Sequence, residues 1–456
     1  MARAKKETAL TPEERLQAAL VPDWEWPYKL PENWCWTRMQ EIAQWGSGGT
    51  PSRKVSEYYN GDISWVKTGE LNDDYIFETE EHITQEAISH SSAKIYPTDT
   101  VVIAMYGATI GKVGILGIPA ATNQACACAI VKPSTDYKYL FYYAQSQKDD
   151  FIKKGKGGAQ PNISQEIIKF HQFPLPPLAE QQRIVDRIES LFAKLDEAKE
   201  KAQAVVDSFE TRKAAILHKA FTGELTAKWR EEHGVRMDSW EKKSVGELCI
   251  SLKYGTAKKS DASGNVVVLR MGNLQQGEID WSDLAYSKDP DDIEKYKLYP
   301  GDVLFNRTNS AALVGKTAIY RGEHPAIYAG YLIKLDYDHD KIIGDYLNYA
   351  LNTLDAKKYC NSVKTDGVNQ SNINAKKIGA YSFNVPSIPE QEKIISVIQK
   401  LLSKEQQAKE AAEAVLDQID LMKKSILACA FRGELGTNDP SEESAVELLK
   451  EIIRRG

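Results

Sequence analysis

The sequence lacks the signatures that would assign this chain a chemistry. It has no GxxxxGK[ST] phosphate-binding loop, which argues against ATP-driven work. A DNA amino-methyltransferase needs an Asn/Asp-Pro-Pro-aromatic loop and a glycine-rich cofactor loop, and neither is present. The closest string, Asn384-Val385-Pro386-Ser387, lies at the entry to a predicted helix. The seven histidines do not cluster, and no catalytic triad or metal-binding set is visible. These absences favour binding over catalysis.

Cysteines and long apolar runs are also scarce. The six cysteines are scattered without zinc-ligand spacing, and we interpret them as reduced core thiols. Cys126 and Cys128 alternate within an apolar run, as inward-facing strand residues would. No run of about 18 apolar residues exists, so we predict no membrane span, no signal peptide and a cytoplasmic location. The net charge of −6 argues weakly against a nucleic-acid partner, although basic loops can lie on an acidic scaffold.

The strongest positive feature is an internal repeat. The 53 residues from Phe173 to Leu225 return as Phe383 to Leu435 without a gap, and 23 positions are identical. Repetition of this kind indicates two copies of one unit. Prolines precede each repeated helix, and Gly223 or Gly433 follows it, which are ordinary start and stop signals.

Each copy predicts a helix of about 42 residues, roughly 60 Å long, with the 3.5-residue period of a coiled coil. Arg212 and Glu405 interrupt the two apolar seams. Because neither seam can stay in water, we expect the copies to pack antiparallel within one chain, and pairing with another subunit is the alternative. The predicted seam residues are Ile184, Ile188, Leu191, Leu195, Ala198, Ala202, Val205 and Phe209 in the first copy, and Ile394, Ile398, Leu401, Ala408, Ala412, Val415, Ile419, Met422 and Ile426 in the second.

The predicted fold is α+β, with two similar domains separated by the two long helices in a pseudo-two-fold repeat. Short strand runs between glycine and Asn/Asp turns indicate a mixed sheet in each domain. Trp34, Glu41, Gly49 and Thr50 match Trp240, Glu247, Gly255 and Thr256 at a shift of 206. The predicted segments are an N-terminal arm with a short helix (1–36), domain 1 (37–172), helical region 1 (173–225), a linker (226–239), domain 2 (240–382), helical region 2 (383–435) and a tail with a helix from about Ser441 to Arg455 (436–456).

Both copies carry basic loops with glycines. The loops FIKKGKGGAQ (151–160) and KYGTAKK (253–259) combine lysines with flexible backbone, which suits phosphate contacts. Arg, Asn and Gln at predicted strand ends can pair with base edges, and a solvated surface charge is the alternative for any one of them. The candidate DNA-binding residues are Thr50, Ser52, Arg53, Lys54, Lys67, Lys112, Gln124, Lys153, Lys154, Lys156, Lys253, Tyr254, Lys258, Lys259, Arg270, Asn273, Arg307, Asn309, Lys316 and Lys364.

With these motifs the chain resembles the specificity (S) subunit of type I restriction-modification systems over nearly its whole length. In the second copy GTAKKS replaces GGTPSR, as expected if its half-site differs. The resemblance rests on the duplicated entry FPLPPLAEQQRI and FNVPSIPEQEKI, the AFxGEL exits at 220–225 and 430–435, GGTPSR at 48–53, GDISWVKTGEL at 61–71, IGKVGI at 110–115 and QPNIS at 160–164.

The resemblance implies a non-catalytic subunit that binds double-stranded DNA at a specific sequence. Each target recognition domain would read half of a bipartite site. The helices would set the spacer between the halves and dock two methyltransferase (M) subunits, and ATP-dependent restriction (R) subunits would join the same complex. S-adenosylmethionine, ATP and Mg²⁺ are then expected on the partner subunits, and this chain is expected to bind no cofactor and no metal.

Two other functions stay open at this stage. The two α+β units could bind protein or glycan, and retention on heparin would argue against that. The chain could also be a nuclease or methyltransferase with an unfamiliar site. Glu197 and Lys199 form an acid-x-Lys pair of the nuclease kind, but such pairs are routine on a solvated helix face.

The helical seam generates a first prediction. Inserting or deleting one heptad in either long helix is expected to change the non-specific spacer and to leave both half-site sequences unchanged, because the helices would set only the distance between the readers. Mapping the methylated sites of host DNA measures both quantities. Altered half-sites with an unaltered spacer would contradict this role.

Overall fold

A computed structural model describes residues 11–133, 135–155, 162–368 and 370–455. The chain forms two compact units. One unit comprises residues up to Lys201 together with those from Val415 onward, and the other runs from Ala202 to Ala414. Each unit therefore contains a portion of both long helical regions. The predicted segments, which are consecutive in sequence, do not show this division. No helix in the described ranges is long and apolar enough to cross a membrane.

The first copy begins with the short helix predicted in the N-terminal arm, and the Thr11 side chain caps it. Its elements are α1 Pro12–Ala19, β1 Cys35–Arg38, α2 Met39–Ile42, β2 Ala43–Ser47, β3 Tyr59–Val66, β4 Asp74–Ile76, β5 His82–Ile83, α3 Gln85–Ser89, β6 Ile95–Tyr96, β7 Val101–Ala104, β8 Val113–Leu116, β9 Ala120–Thr122, β10 Cys126–Val131, α4 Tyr137–Ser146, α5 Lys148–Lys154, α6 Gln165–Lys169, β11 Gln172–Leu175, α7 Leu178–Asp207, α8 Phe209–Phe221 and α9 Ala227–Glu232.

The second copy repeats much of this order. Its elements are β12 Glu241–Ser244, α10 Val245–Leu248, β13 Cys249–Tyr254, β14 Val266–Leu269, β15 Leu274–Gln275, β16 Glu278–Ile279, β17 Tyr286–Ser287, α11 Pro290–Tyr296, β18 Val303–Asn306, β19 Thr308–Asn309, β20 Thr317–Ile319, β21 Ala326–Tyr328, β22 Leu332–Tyr337, α12 Gly344–Leu351, α13 Leu354–Val363, β23 Thr365–Asp366, β24 Ser371–Asn372, α14 Ala375–Gly379, β25 Ser382–Val385, α15 Ile388–Phe431 and α16 Ala445–Arg455.

Both units contain the predicted mixed sheets. In the first, β2-β10-β7-β8-β4 form one sheet, antiparallel except for the parallel pair β4–β8. In the second, β13-β22-β18-β20 repeat its first four strands. The antiparallel pairs β1–β11 and β12–β25 join the two ends of each predicted domain. Cys126 and Cys128 are fully buried, as their alternation predicts.

The predicted match between the two glycine loops is wrong by one residue. Gly49 N–H donates to the Thr122 carbonyl, whereas the corresponding donor in the second unit is Thr256, which bonds the Tyr328 carbonyl. Gly48 is therefore the counterpart of Gly255, and a Cβ on either would strike one of these same carbonyls. A register shift after Cys249, where β13 pairs with β22, adds the extra residue.

The second long helix is continuous over 44 residues, but the first is not. It is interrupted at Ser208, between α7 and α8, where the prediction of one unbroken helix fails. Backbone bonds from Ser208 to Ala204 and from Arg212 to Ser208 continue the helical pattern. The Ser208 hydroxyl also donates to the Ala204 carbonyl, a contact that commonly bends helices.

The two long helices pack antiparallel within the chain, as predicted. In the second unit the two interruptions of the seam pair with each other, because Arg212 donates to the Glu405 carboxylate. Three residues earlier on the first helix, Phe209 faces Lys409, which lies four residues later on the second. The opposite direction of the two steps shows the antiparallel arrangement, and the predicted seam residues Ile394 and Ile398 are fully buried beside it.

After Glu405 the predicted second seam is confirmed at Ala412, Ile419 and Ile426 and is wrong at Ala408, Val415 and Met422. Ala408 is exposed, and Val415 and Met422 are 41% and 46% exposed. The seam instead passes through Lys409, Ala412, Leu416, Ile419, Lys423 and Ile426. The two lysine ammoniums lie 5.1 Å from the Phe209 ring centroid and 4.9 Å from that of Phe192, respectively. The aliphatic part of a lysine side chain can cover apolar surface in this way. Because lysine was interpreted as a surface residue, the sequence analysis missed these two seam positions.

A buried glutamate begins the long helix of the second unit. Glu390 is fully buried, and its Oε1 accepts hydrogen bonds from Arg230 and Thr226, both at 2.7 Å. Its Oε2 accepts one from Trp240 Nε1 at 2.9 Å. Thr226 and Arg230 directly follow the exit of the first long helix. The carboxylate therefore ties the start of one helix to the segment after the other.

The first unit repeats this device with a different arginine. Glu180 is fully buried and accepts hydrogen bonds from Thr437 and from Arg183, both at 2.7 Å. Arg183 also pairs with Glu442, and these carboxylates raise its pKa. The tail helix does not begin at the predicted Ser441. It begins at Ala445, after the Ser444 hydroxyl accepts the Val446 N–H.

The glutamine after each glutamate binds the neighbouring domain. Gln181 and Gln391 are both fully buried. Gln181 accepts the Asp136 N–H at 2.9 Å, and Gln391 accepts the Ile343 N–H at 2.9 Å. Each amide also donates back to the segment that precedes its own helix. The repeated letters EQ thus fix the helix start to its domain.

The Glu390 site generates a stability prediction. Glu390→Ala is expected to lower the free energy of unfolding by about 3–5 kcal/mol, because it leaves Arg230 buried without its carboxylate. Urea unfolding of the full chain measures the change. Glu392→Ala, on an exposed position of the same turn, is the control and is expected to change stability by less than about 0.5 kcal/mol. Equal effects of the two substitutions would contradict the assigned role.

Candidate nucleic-acid interface

One carboxylate organises the basic candidates of the first unit. Arg53 donates to both oxygens of Glu81, at 2.5 and 3.1 Å, and Lys67 reaches the same carboxylate at 3.1 Å and Glu80 at 2.8 Å. The bonds from Arg53 hold the pKa of Glu81 below its ordinary value. We call Arg53, Lys67, Glu80 and Glu81 the Glu81 cluster. It brings together two candidates that lie on separate stretches of the sequence.

Two aromatic rings pack against the arginine of this cluster. The Arg53 guanidinium carbon lies 4.5 Å from the Tyr59 ring centroid and 5.1 Å from that of Trp65. Trp65 Nε1 donates to the Gly49 carbonyl at 3.0 Å, and the Tyr59 hydroxyl donates to the Pro51 carbonyl at 2.6 Å. The two rings therefore fix the path of the GGTPSR loop and the plane of its arginine.

Other candidates lie in the same loop region. The Thr50 hydroxyl bonds the Gln124 side chain, which joins the GGTPSR loop to the turn after β9. Gly48 permits this approach, because a Cβ there would lie 2.1 Å from the Thr122 carbonyl oxygen. Ser52 and Lys54 are exposed beside the cluster. The structure therefore places six of the predicted residues in one region of the first unit.

Among the described residues, no contact joins the lysines of the basic loop at 151–160 to this region. Lys154, which is exposed, pairs with Asp150 at 2.7 Å and bonds His171 at 2.9 Å. Burial, reinforced by Lys154, lowers the pKa of His171 to about 4. Lys153 is exposed and Lys112 is half-buried. Lys156 lies outside the described residues. Lys154 is thus paired with an acid of its own helix, as Arg53 is paired with Glu81, and its contact with DNA stays a prediction.

In the second unit the best-presented candidate is Arg307. Its guanidinium carbon lies 4.6 Å from the Tyr254 ring centroid, and Nη1 donates to the Gly330 carbonyl at 3.3 Å. The Tyr254 hydroxyl is held by the Ala375 N–H at 3.0 Å. No carboxylate in the described ranges pairs with Arg307. Its plane is fixed while its charge stays available, as bidentate recognition of a base edge requires.

Other basic candidates of the second unit are paired with acids. They resemble the Glu81 cluster in that DNA would have to displace a carboxylate before reaching them. The pairs are Lys253 with Asp336 at 2.8 Å, Lys258 with Asp289 at 2.5 Å and Arg270 with Asp283 at 2.9 Å. Lys259 is exposed next to this group.

Several predicted contacts make hydrogen bonds within the second unit. Asn273 is 3% exposed. Its side-chain amide oxygen accepts a backbone N–H and its amide nitrogen donates to a backbone carbonyl, so its prediction as a base reader is wrong. Lys316 donates to Gln275 inside a cavity, and Lys364 donates to the Ala311 carbonyl at 3.0 Å. Asn309 accepts its neighbour's N–H within β19 and stays half-buried.

Sequence reasoning missed the partners that hold the candidates. Glu81 lies 28 residues after Arg53, and no local spacing connects them. Tyr59 and Trp65 read as core strand residues, although Arg53 stacks on both. A hint was available in the stretch itself, since an arginine near two strand aromatics suits a cation–π contact. Across the described ranges no group of His, Cys, Asp or Glu could hold a metal ion.

Comparison with known proteins places this arrangement in a family. The family described as "Type I restriction modification DNA specificity domain" matches twice, at residues 31–206 and 237–414. The chain is 24% identical to the StySPI specificity subunit of Salmonella potsdam, over 93% of this chain and 96% of that protein. It is 25% identical to the EcoKI specificity subunit of Escherichia coli K12, with the same coverage of both chains.

Solved structures show the same fold. The HsdS subunit of Thermoanaerobacter tengcongensis matches with a TM-score of 0.62 at 19% identity, over 90% of this chain and 99% of that one. A chain from a study of type I R-M complex assembly matches with a TM-score of 0.68, also at 19% identity, over 90% and 100%. The chain therefore belongs to the type I restriction-modification DNA specificity family and carries the family's domain twice.

Proposed function

We propose that this chain is the DNA-recognition subunit of a type I restriction-modification complex and reads a bipartite site, one half with each domain. The observation that carries the proposal is a difference between corresponding positions on one conserved backbone. Met105 and Arg307 make the same backbone bonds, to Ile163 and Ala125 in one unit and to Ile373 and Tyr331 in the other. Met105 is buried, whereas Arg307 is presented on Tyr254.

This pattern suits a reader of two different sequences. The two units share strand order, helix starts and backbone bonds, which a common scaffold needs. They differ in the side chains of their solvent-facing loops. In the first unit Arg53 pairs with Glu81, whereas in the second unit Arg307 stacks on Tyr254. Direct recognition of bases depends on such side chains, while backbone-positioning contacts carry no sequence information.

The partners follow from the same proposal. Two methyltransferase subunits dock on the helical regions, and restriction subunits join the complex. S-adenosylmethionine, ATP and Mg²⁺ are held by those partners, and the chain itself performs no chemistry. The antiparallel helices set the spacer between the half-sites. The duplicated helical regions support the docking role, since two similar surfaces can hold two copies of one partner.

Arg307 supplies the test of base reading. In the assembled complex Arg307→Ala is expected to relax one position of one half-site, because a bidentate arginine–guanine pair contributes about 1–3 kcal/mol of discrimination. A methylation map of host DNA measures this position by position. Arg236→Ala, at an exposed linker residue, is the control and should leave the site unchanged. The proposal for Arg307 fails if both variants methylate the same sequence as the parent.

Glu81 supplies a test of the paired charges. Glu81→Gln is expected to tighten binding to a duplex of unrelated sequence at low salt, because it frees Arg53 and Lys67 for phosphates. The slope of log affinity against log salt should steepen by about one to two. Fluorescence anisotropy of the full chain over a salt series measures the slope. Glu78→Gln removes an exposed carboxylate that lies near these residues in the sequence, and a matching slope for both variants would sink the prediction.

A further inference from the structure

A cavity of about 890 Å³ in the second unit carries an uncompensated positive charge. It lies between α8, the turn after β15 and α13. Three lysines line it, Lys213, Lys316 and Lys357, and among the described lining residues Glu210 is the one carboxylate. Its volume is within the range of about 300–1,000 Å³ that is typical of small-molecule sites. Neither Arg307 nor the Glu81 cluster lines this cavity.

Two of its lysines are held in place by neutral acceptors. Lys213 Nζ donates to the Gln276 carbonyl at 3.2 Å, and Lys316 Nζ donates to Gln275 Oε1 at 2.7 Å. An ammonium group has three N–H donors, so each nitrogen keeps donors for which the described residues supply no acceptor. Both acceptors belong to the turn after β15, so this turn positions both lysines in the wall of the cavity.

The environment disfavours the charges that these lysines carry. Burial lowers the pKa of Lys213 and Lys316, and the charge of Lys357 lowers both further. Glu210 and Glu278 act in the opposite direction on Lys213, but Glu278 is itself held by Arg321 at 2.9 Å. A negatively charged ligand would relieve this repulsion and occupy the free donors together.

The first unit has a cavity of about 760 Å³ at the corresponding place, and it serves as an internal comparison. Asp73 and Gln276 mark the correspondence, since both follow a 3₁₀ turn and both adopt a left-handed backbone, with φ of 59° and 52°. In the first unit six carboxylates and four lysines line the cavity. Lys138 pairs there with Glu189 at 2.8 Å, and Lys423 with Asp196 at 2.6 Å.

We propose that the cavity of the second unit is a phosphate-binding site. A phosphate offers several acceptor oxygens and up to two negative charges, which matches a cavity lined by three lysines and one carboxylate better than a neutral ligand does. The phosphate could belong to a small phosphorylated molecule or to a DNA backbone, and the chemistry of recognition is the same for both. At the corresponding cavity of the first unit, three of the four lysines among the described lining residues pair with carboxylates.

Calorimetric titration of the full chain with inorganic pyrophosphate tests the site. The parent chain is expected to bind pyrophosphate saturably, and Lys213→Gln combined with Lys316→Gln should weaken binding by about tenfold or more. Lys357→Gln, at an exposed position, should weaken it severalfold without disturbing the fold. Lys138→Gln combined with Lys423→Gln in the first unit is the matched control and should leave binding unchanged.

The same titration distinguishes the sources of phosphate. Displacement of pyrophosphate by excess duplex DNA would identify the backbone as the source, and undisturbed binding would identify a small molecule. Absence of saturable binding by the parent chain would overturn the proposal. Equal binding by the parent, the Lys213/Lys316 variant and the Lys357 variant would overturn it as well. Neither result would touch the proposed DNA recognition, which methylation mapping tests separately.

Discussion

Burial of a glutamate and a glutamine at the start of each long helix is the constraint on which the rest of this structure depends. A fully buried carboxylate is tolerated only when donors surround it, and the structure supplies them from the segment that follows the other long helix. Glu390 takes donors from Thr226, Arg230 and Trp240. Within each unit, one glutamate side chain therefore holds together segments that are far apart in sequence. The adjacent glutamine ties the start of the helix to the neighbouring domain.

This constraint explains why the two copies agree where they agree. The letters EQ recur at a shift of 210 because a change in either would leave a buried polar group without its partner. No such requirement acts on loop side chains that face solvent. Met105 and Arg307 lie at corresponding backbone positions of the two units and make equivalent backbone hydrogen bonds. Met105 is nevertheless a buried core residue, whereas Arg307 is a cation without a carboxylate partner among the described residues. A scaffold that is fixed in this way can carry two different readers.

The sequence predicted the repeat, the α+β class and the antiparallel helices, because each depends on local periodicity or on the repeat itself. It failed where distant residues decide. Lys409 and Lys423 read as surface charges, so the predicted seam slipped to Ala408, Val415 and Met422. A bulge displaced the match between glycine loops by one residue. Of the candidate site, the loop residues around Thr50 and Arg53 came together, whereas Asn273 proved to hold the fold.

The central claim is that each domain chooses its own half of the DNA site, and one measurement tests it most directly. Residues 37–172 are replaced by a second copy of residues 240–382 in the assembled complex, and the methylated sites of host DNA are mapped. The account predicts that the site becomes symmetric and consists of two copies of the second half-site. A methylated site that still contains the original first half-site would contradict the account.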